Sequence, residues 1–254
     1  MNHIIITGAS RGLGQELALQ LADPQNKLHL IARNGCYTTA RKVEEAGGVS
    51  RNYVYDLTNL DHLAGFMNSL FTDIINEDPG RIMLVNNAGM LHPIGPIGKY
   101  DYQDYKTNLE INFMVPAMLT HWFIHKTQDW DIPKRIMYIS SGASGKPYYG
   151  WTHYCSTKAG IDMLMQTTAL EQDEQDYPVE VAAFNPSRIE TDMQKEIRRQ
   201  SADDFAAVED FIEAKEDGRT GSATEAARKL AYILFKDRYP HGEVVKAKEV
   251  ELPK

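Results

Sequence analysis

The sequence has very little cysteine: Cys36 and Cys155 are the only two, and they show no paired spacing. This argues against a disulfide framework and a zinc ribbon and fits a reducing compartment. No apolar run reaches the roughly 20 residues that a bilayer span needs. The N-terminus lacks the basic start and small-residue cleavage site of a signal peptide. We therefore expect a cytoplasmic protein without a membrane segment.

Positive charge is also scarce, since 27 Lys and Arg stand against 35 Asp and Glu, a formal net charge of −8. This balance argues against nucleic acid or an anionic membrane as the main partner. The 254 residues contain no repeat, no low-complexity stretch and no linker-like run. A chain of this length can bury a core without metal or disulfide support. We predict a single domain over 1–254 with no metal site.

Short apolar runs alternate with longer helical patterns along the chain. Strands that alternate with helices indicate a parallel sheet covered on both faces. We therefore predict an α/β fold, with a doubly wound parallel sheet in a three-layer α/β/α arrangement. The predicted strands are 3–6, 28–32, 53–57, 82–85, 135–139, 179–184 and, as a possible last one, 244–250.

A glycine-rich loop lies between the first strand and the first helix. Glycines allow the backbone to approach a pyrophosphate, and the helix N-terminus offers N–H donors to it. The spacing is G-x-x-x-G-x-G rather than G-x-G-x-x-G, and an ordinary strand–turn–helix corner could also use it. The position after the first strand favours nucleotide binding. The loop residues expected to contact the nucleotide are Gly8, Ser10, Arg11, Gly12, Leu13 and Gly14.

The end of the second strand bears on the choice of nucleotide. It reads Arg33-Asn34, with no acid to hold a ribose 2′-hydroxyl, and Arg11 lies in the glycine loop. Arginines suit the 2′-phosphate of NADP, although Arg33 could simply extend into solvent. Asp56, with Leu57 after it, is placed to receive the adenine, and helix capping is the alternative for Asp56.

Three Tyr-x-x-x-Lys pairs occur, and on a helix each would share one face. Thirteen residues before Tyr154 comes Ser141, at the end of the fifth strand, where open α/β sheets bind ligands. The other two tyrosines have no such hydroxyl partner and are expected at the surface or in the core. The three pairs are Tyr102 with Lys106, Tyr154 with Lys158, and Tyr232 with Lys236.

Asn112 lies in an apolar helical stretch with Pro116 four residues later. Because proline has no N–H, the Asn112 carbonyl loses its helical donor and the helix should kink. The freed carbonyl could hold a water near Lys158. The alternative is a kink without a chemical role.

These features together resemble the short-chain dehydrogenase/reductase family over essentially the whole chain. The residues that carry the resemblance are 7–14, 86–89, Asn112, Ser141, Tyr154 and Lys158, in this order. The resemblance implies a Rossmann-type fold, a nicotinamide cofactor and a catalytic tetrad of the last four residues. It also implies that Asn87, Ala88 and Gly89 line the cofactor, and that the protein is a homodimer or homotetramer.

One segment departs from the family pattern. The family usually has Pro-Gly after the sixth strand, whereas here Pro186 is followed by Ser187. This puts the geometry of that loop in doubt. The resemblance still places Pro186, Ile189 and Thr191 at the nicotinamide.

Within the family, segments 140–158 and 191–194 look like the sepiapterin reductase group, and closer still like bacterial benzil reductases that form (S)-benzoin. Sepiapterin reductases carry an acid in the last strand that anchors the pterin, whereas the last strand here has lysines and no aspartate. The resemblance therefore favours an aromatic carbonyl over a pterin. The implied function is NADPH-dependent reduction of an aromatic 1,2-diketone such as benzil. The alternatives are a sepiapterin or other ketone reductase and, in a different class, a non-catalytic NADP-binding regulatory protein.

The expected chemistry assigns a role to each member of the tetrad. Tyr154 is the general acid, and Ser141 donates a hydrogen bond to the carbonyl oxygen. Lys158 holds the ribose and depresses the tyrosine pKa, and the water held at Asn112 restores the proton to Tyr154. Substrate contacts are expected from Ser141, Tyr148, Trp151 and Tyr154, and Met90, Leu91 and Tyr149 are further candidates. The segment 187–218, with a helix over 202–214, is expected to form a lid.

Overall fold

Seven strands form one parallel sheet in a computed structural model that describes residues 1–253. Their spatial order is β3-β2-β1-β4-β5-β6-β9. A separate short pair, β7 and β8, is also parallel. The strands are β1 (Asn2–Thr7), β2 (Asn26–Ala32), β3 (Val49–Val54), β4 (Arg81–Asn86), β5 (Lys134–Ile139), β6 (Glu180–Asn185), β7 (Ile189–Glu190), β8 (Gly221–Ser222) and β9 (Val244–Lys246).

Helices cover both faces of the sheet, which confirms the predicted α/β/α arrangement. One hydrophobic core packs α1, α2 and α9 on one face, and a second packs α3, α5 and α6 on the other. The helices are α1 (Gly12–Gln20), α2 (Tyr37–Glu45), α3 (Leu63–Ile75), α4 (Tyr102–Leu109), α5 (Val115–Thr127), α6 (Thr152–Gln172), α7 (Asp192–Ile197), α8 (Val208–Glu216) and α9 (Ala223–Phe235). No helix within residues 1–253 is both long and apolar enough to cross a bilayer.

The central strands are apolar along nearly their whole length because both of their faces are covered. A buried cation nevertheless starts β5. The Nζ atom of Lys134 donates hydrogen bonds to the carbonyl oxygens of Gln128, at 3.0 Å, and Trp130, at 2.6 Å. These carbonyls follow the end of α5, where helices leave acceptors unsatisfied. The lysine thus ties the end of the helix to the strand that leads to Ser141.

Three segments differ from the predicted boundaries. The third strand, predicted over 53–57, is β3 at Val49–Val54, because the sheet register pairs these residues with β2. The last strand ends at Lys246 because residues 247–249 form a 3₁₀ turn, in which the Ala247 carbonyl accepts a hydrogen bond from Lys229 Nζ at 2.9 Å. The helix predicted over 202–214 is wrong, since α8 begins at Val208. Buried Phe205 stacks on Trp151, with ring centroids 4.3 Å apart, and this tertiary contact outweighs local helical periodicity.

The topology fixes where a ligand can bind. The chain order reverses between the neighbours β1 and β4, and β1 pairs with both β2 and β4. In open α/β sheets such a reversal leaves a crevice outside the carboxyl ends of the strands. The loops that follow β1 and β4 therefore border one cleft.

Candidate active site

A cavity of about 880 Å³ lies at this carboxyl edge and brings together most of the residues predicted from the sequence. Asn112, which was predicted to be catalytic, does not line it and is 1% exposed. Gly14 and Asn34 do not line it either, nor does Tyr149, which is 57% exposed. The predicted residues that do line it are Gly8, Ser10, Arg11, Gly12, Leu13, Arg33, Asp56, Leu57, Asn87, Ala88, Gly89, Met90, Leu91, Ser141, Tyr148, Trp151, Tyr154, Lys158, Pro186, Ile189 and Thr191.

The glycine loop is clamped to the loop after β4. The Asn87 side-chain amide donates hydrogen bonds to the carbonyl oxygens of Thr7, at 2.8 Å, and Gly8, at 3.2 Å. The Thr7 hydroxyl accepts the N–H groups of Asn87 and Ala88 in return. A side chain at Gly14 would place its Cβ 2.5 Å from the Gly8 carbonyl oxygen. Gly14 therefore packs behind the loop and allows α1 to approach it.

The beginning of α1 fits the phosphates of a dinucleotide. Gly8 and Gly12 have φ angles of 66° and 58°, which favour glycine and turn the loop tightly into the helix. Arg11 is the N-cap residue, and its side chain makes no capping hydrogen bond. The first N–H groups of the helix thus have no side-chain cap, and the helix dipole favours an anion there.

The far end of the cavity carries the residues predicted to select the nucleotide. Arg33 is exposed at its rim. Arg11 pairs with Asp192 at the start of α7, with 3.6 Å between Nη1 and Oδ2. Asp56 uses its Oδ1 atom to accept hydrogen bonds from the N–H and hydroxyl groups of Thr58. It therefore closes a turn while it also lines the cavity.

Ser141, Tyr154 and Lys158 meet at the wall of the cavity. Ser141 follows β5, and its hydroxyl lies close enough to the Tyr154 side chain to act on the pKa of the phenol. Lys158, one turn along α6, donates from Nζ to the Ile139 carbonyl oxygen at 2.7 Å and lies 5.8 Å from the centroid of the Tyr154 ring. The strand end and the helix thus place a hydroxyl, a phenol and an amine together.

The pKa values of this cluster are set by burial. Desolvation raises the pKa of Tyr154 above its usual value of 10, and the hydrogen bond from Ser141 opposes that rise. The expected depression of this pKa by Lys158 is therefore not found, because desolvation of the phenol dominates. Burial also lowers the pKa of Lys158 to about 8, while the charge of Asp162 one helical turn away opposes this.

Asn112 lies in a π-helical segment, Glu110–Met114, just before Pro116. The predicted distortion of the helix is therefore present as a widened turn. The Asn112 side chain accepts the Met90 N–H at 2.9 Å and donates to the Met90 carbonyl at 2.8 Å. A Cβ on Gly89 would lie 3.2 Å from Asn112 Oδ1 and 3.9 Å from Lys158 Nζ. Gly89 thus separates the two side chains, and Asn112 fixes the loop after β4.

Asn108 is a residue that the sequence reading missed. Its Oδ1 atom accepts from Asn112 Nδ2 at 2.9 Å, and its own amide donates to the His92 carbonyl at 2.8 Å. The signal was available, because the two asparagines are four residues apart and so share a helix face.

An aromatic cluster lies next to Tyr154 at the cavity wall. The Trp151 ring lies 5.4 Å from the Tyr154 ring and 5.1 Å from the Tyr148 ring, measured between centroids. Phe205 and Phe211, from the segment after β6, complete the cluster. Sequence analysis did not name these two phenylalanines. For Phe211, the available signal was an aromatic residue in the acidic helix 208–216.

Ser187 resolves the doubt about the loop after β6. Its φ angle is 62°, the left-handed conformation that a glycine adopts readily. The Asn185 side chain accepts the Ser187 N–H at 2.9 Å and supports this turn. The serine thus takes the backbone conformation typical of glycine.

The remaining predictions concern residues outside the cavity. Tyr102 is 76% exposed, and neither it nor Tyr232 lines the site. No group of three or more histidine, cysteine or acidic side chains within residues 1–253 could hold a metal ion.

Comparisons with known proteins agree with this geometry. A family model described as short chain dehydrogenase matches residues 2–202. A benzil reductase ((S)-benzoin forming) of Bacillus cereus is 35% identical over 98% of this chain and 100% of its own length. A sepiapterin reductase of Meriones unguiculatus is 30% identical over 94% of this chain and 93% of its own. The crystal structure of the KRED1-Pglu enzyme superposes with a TM-score of 0.82 at 24% identity, covering 96% of this chain and 100% of that one.

Proposed function

Because the chain belongs to the short-chain dehydrogenase family, we propose that it is an NADPH-dependent reductase that converts an aromatic 1,2-diketone such as benzil to (S)-benzoin. Membership makes it an oxidoreductase with a nicotinamide cofactor. The observation that carries the proposal is that Ser141, Tyr154 and Lys158 line one cavity, together with the glycine loop and an aromatic cluster. Aromatic walls suit a bulky aromatic carbonyl.

The proposed mechanism uses Tyr154 as the proton donor. The reduced nicotinamide, when bound, supplies the hydride to the carbonyl carbon. Tyr154 donates its hydroxyl proton to the carbonyl oxygen, and the Ser141 hydroxyl hydrogen-bonds to the same oxygen. The protonated Lys158 holds the cofactor ribose and stabilises the phenolate left on Tyr154. Asn112 positions Gly89 and Met90 around these groups.

The proposed cofactor contacts follow the cavity wall. The uncapped start of α1 and the glycine loop would hold the pyrophosphate, and Asp56 and Leu57 would face the adenine. Asn87, Ala88 and Gly89 would lie along the cofactor. Pro186, Ile189 and Thr191 would border the nicotinamide.

The preference for NADPH is proposed to come from Arg11 and Arg33, whose charges would meet the 2′-phosphate. Replacing Arg33 by Gln should raise the KM for NADPH about tenfold, roughly 1.4 kcal/mol, and leave the KM for NADH unchanged. Arg41→Gln, an exposed change on α2 outside the cavity, is the control. Equal effects on the two cofactors would remove this role from Arg33.

The segment 187–218 is proposed to act as a lid over the substrate. Arg188 ties its two ends together, because the guanidinium pairs with Asp210 and stacks on Phe211 with 4.1 Å to the ring centroid. The same segment carries Phe205, which packs on Trp151. In this structure the segment therefore already contributes to the aromatic cluster.

A homodimer or homotetramer is proposed on the exposed apolar surface of α4, α5 and α6. Met163 and Leu170 on α6 are 62% and 70% exposed. The stretch that joins α4 to α5 is also exposed at Leu109, Phe113, Met114 and Met118. Patches of this kind mark protein interfaces. We expect light scattering to give a dimer or tetramer mass, and Met163→Glu with Leu170→Glu to reduce it. A monomeric wild type would contradict the proposal.

The function is tested by following NADPH oxidation with benzil, sepiapterin and a simple aliphatic ketone in parallel. We expect benzil to give the highest kcat/KM, NADPH to exceed NADH, and chiral chromatography to identify (S)-benzoin. Preference for sepiapterin, which the similarity to sepiapterin reductase makes the second candidate, would redirect the assignment. No oxidation with any carbonyl would favour a non-catalytic NADP-binding protein.

A further inference from the structure

Trp151 carries a buried hydrogen-bond donor without a partner. The residue is 4% exposed, and no protein group in residues 1–253 accepts a hydrogen bond from its Nε1 atom. A buried donor left unpaired costs about 1–3 kcal/mol, and buried indole N–H groups usually find an acceptor. An acceptor carried by a ligand would remove that cost.

The indole lies beside the proposed proton donor. Trp151 immediately precedes α6, which carries Tyr154, and both rings line the same cavity. Their centroids are 5.4 Å apart and their planes are inclined by 70°. The hydroxyl of Tyr154 marks where the reacting carbonyl oxygen binds. Trp151 is therefore a hydrogen-bond donor residue next to the place where the substrate would react.

The other aromatic neighbours of the indole do not accept its N–H. Tyr148, whose ring centroid is 5.1 Å away, carries a hydroxyl, but Nε1 makes no hydrogen bond to it. Phe205 stacks on the indole at 4.3 Å and Phe211 meets it edge-on at 5.6 Å, and neither side chain has an acceptor atom. Both phenylalanines belong to the segment 187–218. Movement of this segment away from Trp151 would open the N–H to a ligand, and its return would enclose the ligand again.

We propose that Trp151 determines specificity by donating its indole N–H to the second oxygen of an α-oxygenated ketone, either a 1,2-diketone or an α-hydroxy ketone. The inference rests on the proposed reductase function and narrows its substrate class. A ketone with only one oxygen leaves the donor unpaired and gains nothing from it. Sites built to hydrogen-bond a substrate group discriminate strongly against analogues that lack it.

The test compares benzil with deoxybenzoin, in which a methylene replaces one carbonyl. For Trp151→Phe, kcat/KM with benzil should fall about tenfold or more while kcat/KM with deoxybenzoin changes less than about threefold. Trp122→Phe on α5, outside the cavity, controls for the loss of an indole. Equal losses on both ketones, or no loss on benzil, would overturn the proposal.

A binding measurement on the wild type tests the same donor without turnover. In the presence of NADP⁺, calorimetry should show benzoin binding about tenfold more tightly than deoxybenzoin. Equal dissociation constants would overturn the role of Trp151, even if Trp151→Phe does not fold. If the wild type reduces neither ketone, the proposed activity fails, while the benzoin comparison still decides whether the donor is used.

Discussion

Two groups of polar side chains lie along this sheet, and only one of them lines the cavity described above. The first, at the carboxyl edge, opens into the cleft. The second, here called the closed group, packs against α3 through Phe66, whose ring centroid lies 5.8 Å from that of Tyr53, and it does not line that cavity. The members are Ser141, Tyr154 and Lys158 in the open group, and His3, His29 and Tyr53 in the closed group.

The closed group is a row of rings across β1, β2 and β3. The Nδ1 atom of His3 lies 3.0 Å from Nε2 of His29, and the Nδ1 atom of His29 lies 3.1 Å from the Tyr53 hydroxyl. Both histidines have no exposed surface. Glu77, after α3, comes within 3.8 Å of His3. The row satisfies most of its own hydrogen bonds and does not line that cavity.

Burial perturbs both groups strongly, in the same direction for their basic members. It lowers the pKa of Lys158 to about 8 and that of His29 to about 3. Perturbed pKa values are often taken as a mark of function. Here the comparison shows that the shift alone is insufficient, because only Lys158 lies where a ligand can reach it. The closed group should therefore matter for stability and the open group for turnover.

The largest expected effect comes from Tyr154→Phe in the open group. Turnover should fall at least about 100-fold, because a positioned general acid contributes that much or more. The Kd for NADPH should change less than about threefold and the thermal midpoint should stay close to that of the wild type. Fluorescence titration and initial rates check these values.

Tyr149→Phe is the matched control, since this neighbouring tyrosine is exposed and lies off the cavity. It should keep full turnover. If Tyr154→Phe retained more than about a tenth of the wild-type rate, its assignment as proton donor would be wrong.

The closed group should instead make the stability of the folded protein sensitive to acid. The pKa of His29 is about 3 in the folded protein, against 6.5 for the free side chain, so the unfolded chain binds more protons below pH 6.5. Stability is thus constant above pH 6.5 and falls as the pH drops towards 3. At roughly 1.4 kcal/mol per pH unit, His29 accounts for a loss of about 2 kcal/mol between pH 6.5 and 5.

Replacing His29 by Leu should lower the free energy of unfolding at pH 7 by about 2 kcal/mol, because His3 and Tyr53 lose a partner. The further loss between pH 7 and 5 should be smaller than in the wild type. Part of it remains, since burial also lowers the pKa of His3. Urea unfolding at both pH values measures this, and kcat should be unchanged. An acid loss as steep as that of the wild type would exclude His29 as its source.

The open group could be anticipated from the sequence because local rules place its members. Ser141 ends a predicted strand, and Tyr154 and Lys158 share a face of the following helix. Carboxyl ends of parallel strands share one edge of the sheet, so the serine and the helix face the same cleft. To predict this group, it was enough to predict correctly that a strand ends before Ser141 and that Tyr154 and Lys158 lie on a helix.

The closed group could not be anticipated in this way. His3 and His29 are single histidines in separate apolar strands, and they come together only through the register that pairs Ile5 with His29. Register is a property of the assembled sheet, not of either strand. The same holds for Phe205, whose contact with Trp151 replaces the helix expected over 202–214.

The smallest expected effect concerns backbone strain beside the open group. Ser187 has a φ angle of 62°, a left-handed conformation that costs a residue with a side chain about 1–2 kcal/mol. Ser187→Gly relieves this, but glycine loses roughly 0.5–1 kcal/mol of additional chain entropy on folding. We therefore expect the unfolding free energy to rise by about 0.5 kcal/mol in urea titrations. Ser187→Ala, which keeps the strain and removes only the hydroxyl, should change it by less. A glycine variant less stable than the alanine variant would show that this loop is not strained. Backbone strain would then not distinguish the open group from the closed group.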